Sequence, residues 1–216
     1  MPTPDKDTRA SRYPITRPVP QLYRPAATLR MRPHSDGNYT QDCHHVYAEA
    51  HGAALFMEVF TPAGGGNGLG VIDVIGGGWF SDRVQLNEHI GLGVIDVLCA
   101  HGYTVFATCT GSVTKFTGRE MVRHVQEAVR HIKVYAEDFG VARDRLGIMG
   151  ASAGGHIAAL ATLAPRPARP ASRDPFRHQD SGVAAAALLF APTDLVDYGG
   201  SAFRFVEAEG GRLDRL

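Results

Sequence analysis

The sequence predicts an α/β fold, a mostly parallel sheet with helices on both faces, and three observations point there. From about residue 44, short apolar runs alternate with segments of helical periodicity, as in chains of strand–helix–strand units. Two of those runs end in glycine-rich turns, Gly76-Gly77-Gly78-Trp79 and Gly150-Ala151-Ser152-Ala153-Gly154, where a chain leaving a strand can bend sharply. The chain has 216 residues, 44% of them hydrophobic, enough for one core of ordinary size, so residues 44–216 read as one domain.

Residues 1–43 stand apart as an N-terminal arm. Residues 1–33 hold seven of the 13 prolines, and Arg9, Arg12, Arg17, Arg24, Arg30 and Arg32 follow one another with no acid between them. Such a composition buries too little apolar surface to order itself.

The elements follow in order. His44–Ala48 and Ala54–Phe60 read as two strands joined by a turn at His51-Gly52. Pro62–Gly68 is a loop that delivers the chain to the apolar run Leu69–Ile75, a buried strand. Leu86, Ile90, Val94, Val97 and Leu98 recur at helical spacing up to Gly102, and Tyr103–Thr108 is another buried strand. The clearest helix runs from Arg119 to Phe139, with Val122, Val125, Val129 and Ile132 on one stripe, Arg123, Glu127, Arg130 and Lys133 on the other side, and Gly140 closing it. Arg145–Met149 is a strand, His156–Leu163 a small-residue helix, and residues 165–181 a proline-rich loop. Val183–Phe190 is one more central strand, although its alanines also suit a helix.

Chemistry concentrates at the two glycine turns. A serine hydroxyl is a poor nucleophile unless it is exposed and a base takes its proton, and a G-x-S-x-G turn between strand and helix supplies the exposure. Gly150 and Gly154 lack the Cβ atoms that would clash in so tight a turn, and the helix that follows aims N–H groups and its positive end at a developing oxyanion. Ser152 is therefore the candidate nucleophile. The glycines at 76–78 let backbone amides turn inward to complete an oxyanion hole.

Taken together, Gly76-Gly77-Gly78-Trp79 and Gly150-Ala151-Ser152-Ala153-Gly154-Gly155-His156 resemble the hormone-sensitive-lipase-like and acetyl-esterase (BD-FAE-like) branch of the α/β hydrolases. Ala100–Val105 is similar to that family's helix-to-strand corner, and Ala191-Pro192-Thr193-Asp194-Leu195 to its segment after the sixth strand. The resemblance implies an α/β-hydrolase fold of eight strands and hydrolysis of small carboxylic esters through an acyl-enzyme, without a cofactor. It implies Ser152 as nucleophile and the amides of Gly77, Gly78 and Ala153 as oxyanion donors. Ile75 stands where many relatives have the histidine of an HGGG motif, which implies a change in loop support.

In this fold the triad runs Ser, then Asp or Glu, then His. After Ser152 the only histidines are His156, in the first turn of the following helix and suited to packing, and His178, in the proline-rich loop. The tail offers Asp194, Asp197, Glu207, Glu209 and Asp214, but its 26 residues after Phe190 are too few for two more strand–helix units. The sheet is thus expected to be incomplete at its C-terminal edge. Three explanations stay open: a truncated or frameshifted gene product, a base supplied by a partner chain or oligomer that covers the open edge, or His178 in an unusual geometry.

Other classes fare less well. Dinucleotide binding needs glycine where Ser152 stands. A non-catalytic scaffold on a hydrolase sheet is the main alternative. Asp42-Cys43-His44-His45 brings metal ligands together in sequence, but adjacent strand residues point to opposite faces, so no metal site is expected. Lys plus Arg equals Asp plus Glu at 22 each, which gives no field toward nucleic acid or membrane. No apolar stretch suits a membrane span or signal peptide, so the expected location is cytoplasmic. Cys43, Cys99 and Cys109 lack disulfide or zinc spacing.

Overall fold

The computed structural model describes residues 39–195. In chain order these form β1 (Tyr39–Ala50), β2 (Ala53–Pro62), β3 (Gly70–Ile75), α1 (Arg83–Gly91), α2 (Val94–Ala100), β4 (Thr104–Cys109), α3 (Gly118–Val134), β5 (Leu146–Ala151), α4 (Ser152–Leu163) and β6 (Ala185–Leu189), with a 3-10 turn at Pro175–His178 before β6. Asp197, Glu207, Glu209 and Asp214 lie outside the described residues, as does most of the expected arm; β1 already begins at Tyr39.

The six strands lie in the order β1-β2-β4-β3-β5-β6. β1 and β2 form an antiparallel hairpin closed by His51 and Gly52, at φ +50° and +72°, the left-handed pair that a two-residue hairpin turn requires. β2 also pairs antiparallel with β4, whereas β4, β3, β5 and β6 run parallel to one another. Alternation along the strands splits the core in two. Ile72 and Val74 pack with Val125, Val129, Ile132 and Ile157 under α3 and α4. Ile75, Val105, Ala107 and Cys109 pack with Leu86, Ile95 and Cys99 under α1 and α2. This is the doubly covered sheet of an α/β fold.

Three expectations change. The single helix read across Leu86–Leu98 is two, because Gly93 adopts φ +74° and breaks the run between α1 and α2. Half of the charged side of α3 is covered: Arg123 is exposed and Glu127 half-buried, but Arg130 and Lys133 are 2% and 6% exposed. They are covered by the 165–181 loop, where Arg130 Nη2 donates to the Pro167 carbonyl at 3.1 Å and Lys133 Nζ to Asp180 Oδ1 at 2.9 Å. Finally, β6 is a strand despite its alanines, but it is the edge of the described sheet rather than a central strand, with all five residues exposed.

The motif at Asp42–His45 does not alternate regularly: a β-bulge with His44 at φ +63° interrupts it and leaves Asp42 Oδ2 3.6 Å from His45 Nδ1. His44 meets Phe56 and the Arg83 guanidinium, while His45 Nε2 reaches His131 Nε2 on α3 at 2.9 Å. All three cysteines are free. No helix among the described residues is long and apolar enough to cross a membrane.

Candidate active site

Parallel pairing brings the two glycine turns together. β3 and β5 are neighbours in a register that sets Val74 beside Gly150, so Gly76 and Ser152, each two residues further on, leave the same end of adjacent strands. There the backbones meet: the Gly154 amide donates to the Gly76 carbonyl at 3.3 Å. The contact tolerates only glycines. A Cβ on Gly154 would lie 2.2 Å from the Val74 carbonyl oxygen, and one on Gly150 would lie 2.6 Å from Gly154.

Ser152 itself carries φ +51°. A non-glycine residue held there costs about 1–2 kcal/mol, and the junction imposes it because β5 ends at Ala151 and α4 starts at Ser152 with no residue between. The residue preceding the helix, Ala151, has no side chain able to cap it, so the Ala153 amide in the first turn of α4 keeps its donor for a ligand, whereas that of Gly154 is taken by Gly76. Ser152 is the first residue of the helix and not its cap.

The loop opposite is a tight turn. Gly77 and Phe80 exchange both backbone hydrogen bonds, at 3.0 and 2.9 Å, around Gly78 and Trp79, which adopt φ +55° and +62°. This geometry divides the expected oxyanion donors. The Gly77 N–H already donates to the Phe80 carbonyl, whereas the Gly78 N–H has no backbone acceptor among the described residues.

Support for the loop comes from residues that sequence reading did not single out. Ser81 is buried; its hydroxyl donates to the Ile75 carbonyl at 2.6 Å and accepts from the Thr110 amide at 2.9 Å, tying the ends of β3 and β4 together. The Trp79 carbonyl accepts from Val113 N at 2.9 Å. Ser81 thus braces the end of β3 at Ile75. No periodicity marks Ser81; only the fold brings it under Ile75.

The two downstream histidines are both occupied. Trp79 Nε1 donates to His156 Nδ1 at 3.1 Å, with the rings edge to face at 5.8 Å, and burial lowers the ring's pKa below its ordinary value. His156 is therefore a neutral packing partner of the Gly77–Phe80 turn, as its position in the helix suggested. His178 is held by the Ser172 carbonyl at 2.9 Å. Its loop is tied to the opposite end of the sheet, since Ala184, just beyond it, donates to Leu146 at the start of β5 while Ser152 follows the end of β5. The unusual geometry that would use His178 as base is thereby excluded. Asp194 follows β6 at the Ser152 end and is exposed.

Among the described residues no group of three or more His, Cys, Asp or Glu side chains could hold a metal ion. Away from the glycine turns, a fully buried carboxylate, Asp73 on β3, meets His89 Nδ1 on α1 at 2.7 Å, and a second, Glu58, pairs with Arg83 at 2.6 Å. Both lie under α1 on the other side of the sheet from α4 and serve the core.

Known structures share this fold. The chain resembles the acetyl ester-xyloside bifunctional hydrolase of Caldicellulosiruptor lactoaceticus at 15% identity and TM-score 0.61, covering 80% of this chain and 62% of that one. It resembles native esterase 2 of Thermogutta terrifontis at 20% identity and TM-score 0.56, covering 87% and 65%. A truncated carbohydrate esterase from gut microbiota matches at 18% identity and TM-score 0.59, covering 76% and 61%. The chain thus spans less than two thirds of each of these structures, and at such identities the likeness establishes the α/β-hydrolase fold. No curated protein matches. The BD-FAE family model matches residues 57–209, which takes in both glycine turns, the strands that carry them and well over half of the sequence; the chain belongs to the BD-FAE family.

Proposed function

We propose that the chain is a serine hydrolase for small carboxylic esters, with Ser152 forming the acyl-enzyme. The observation that carries this reading is the left-handed Ser152 at an uncapped helix start, fixed by backbone contact against a second turn that presents the free N–H of Gly78. Ser152 Oγ attacks the ester carbonyl, and its oxygen becomes an oxyanion between the amides of Gly78 and Ala153. The Gly77 amide joins them only if its bond to Phe80 opens. Each such donor is worth about 10²–10³ in turnover. That the structural neighbours include esterases supports ester over other acyl substrates.

Ser152 needs a proton acceptor, and neither His156 nor His178 is free to serve. We assign that role to a histidine and an acid that reach the Ser152 end across the β6 edge from another polypeptide segment, since no histidine follows His178 in this sequence. A partner chain or second copy pairing with the exposed β6 edge is one route, given the exposure of Leu188, Leu189 and Phe190. The occupied state of both histidines also favours a second reading, a non-catalytic member of the family that keeps the sheet and the turns.

Hydrolysis of p-nitrophenyl acetate by the purified chain separates the two. The first reading predicts turnover that Ser152→Ala abolishes. Loss of a whole triad costs about 10⁶ in other serine hydrolases, so a slow rate still counts, provided that it depends on Ser152. Wild type and Ser152→Ala both at the buffer rate would select the non-catalytic reading.

A further inference from the structure

Trp79 sits in an unusual state for so large a residue. It is 4% exposed, its φ is +62°, and it occupies the second central position of the turn that carries Gly78. Glycine takes that conformation freely, but a tryptophan must be held there by its surroundings. What holds it is visible at both ends of the residue. Its carbonyl accepts from Val113 N, and its indole N–H donates to His156 Nδ1 at 3.1 Å.

His156 lies four residues after Ser152 on α4, so the two share one face of the helix. The ring therefore ties the turn bearing the proposed oxyanion donor to the helix bearing the proposed nucleophile. Because Nδ1 accepts the indole proton, the ring's own proton is on Nε2. Burial keeps the ring neutral, and a charged imidazolium, with donors on both nitrogens, could not accept at all.

We propose that His156 is a positioning residue: by accepting the Trp79 indole N–H it holds Trp79 left-handed and so sets the aim of the Gly78 amide relative to Ser152. This role rests on the acyl-transfer reading of Ser152.

The test uses the full chain, in which Trp79 is the only tryptophan, so that indole fluorescence comes from this residue alone. His156→Leu removes the acceptor, whereas His156→Asn places an amide oxygen where Nδ1 stands. Trp79→Phe removes the donor while leaving α4 untouched. The rate at which a fluorophosphonate probe modifies Ser152 is followed for each, with far-UV circular dichroism as the check of folding. We expect His156→Leu to shift the emission maximum and slow labelling about tenfold, a fraction of the loss on deleting an oxyanion donor. His156→Asn should restore both to within about twofold. Trp79→Phe should slow labelling by the same factor, and the double variant Trp79→Phe/His156→Leu should be no slower than either single one, because both break one bond.

Folded His156→Leu that labels at the wild-type rate, failure of Asn to rescue, or additive losses in the double variant each overturn the positioning role while leaving the nucleophile in place. Should His156→Leu not fold, Trp79→Phe and its labelling rate decide alone. A wild-type chain that takes no probe overturns the acyl-transfer reading itself, and the positioning role with it.

Discussion

A methyl group on Gly154 would lie 2.2 Å from the Val74 carbonyl oxygen, closer than any carbon can approach, and the obstacle is backbone rather than a side chain that could swing away. The Ser152 turn and β3 therefore fit only because Gly154 has no Cβ. Gly147, on β5 and seven residues before Gly154, would place a Cβ with its nearest neighbours at 3.8 and 3.9 Å.

The two positions predict opposite outcomes for the same substitution. Gly154→Ala should cost about 1–3 kcal/mol through overpacking, lowering Tm by about 2–4 °C per kcal/mol in a chain of this size, and should suppress probe labelling of Ser152. Gly147→Ala should stay within about 1 kcal/mol of wild type. Thermal unfolding of both variants checks this; equal stability would show that the turn is not packed as described.

The buried Asp73–His89 pair gives a stability that depends on pH in a definite direction. Burial draws the His89 pKa down, but the hydrogen bond and charge of Asp73, helped by Glu88, outweigh it, and the pKa is raised above the ordinary value of about 6.5. Folding thus favours the protonated ring. Its contribution is complete below about pH 6.5 and is lost as pH rises through the folded value. Urea unfolding at pH 6 and pH 9 should show wild type weaker at pH 9, and Asp73→Asn should reduce the difference. At pH 6, His89→Ala should cost about 3–5 kcal/mol, since it leaves a buried carboxylate without its partner.

His131 predicts the opposite slope on the acid side. Burial first, and then the charge of His45, press its pKa down to about 4. The folded state favours the neutral ring, so its contribution is present above about pH 6.5 and is lost as pH falls from there toward 4. His131→Phe keeps the ring that stacks on Phe176 at 5.4 Å and 7° and removes the proton. Unfolding between pH 4 and pH 7 should be less acid-sensitive in this variant; an unchanged acid limb would contradict the assignment.

Local pattern made much of this legible. Each of the six described strands has a counterpart in the sequence reading, although the first five residues of β1 fell in the expected arm and the alanines of β6 also suited a helix, and the fold class followed from their alternation with helices. The Ser152 turn was readable because strand, G-x-S-x-G and small-residue helix are contiguous in sequence. What could not be read was tertiary. Nothing near Arg130 or Lys133 in sequence announces that Pro167 and Asp180 will cover them. The occupation of the Gly77 amide by Phe80 depends on a turn geometry shared with Trp79, and its brace, Ser81, acts through Ile75 and Thr110. The break at Gly93 was masked by apolar spacing that continues in phase from α1 into α2. His156 could be read as a packing residue from its place in the helix, but its partner, Trp79, lies 77 residues away.

The central claim is that Ser152 is a nucleophile made reactive by the folded turn. Its most direct test is intact-mass and peptide analysis of the native chain after exposure to a fluorophosphonate probe. The account predicts a single adduct, on Ser152, absent from Ser152→Ala and absent when wild type is first unfolded in urea. A native chain that remains unmodified, or an adduct elsewhere that survives Ser152→Ala, would contradict it.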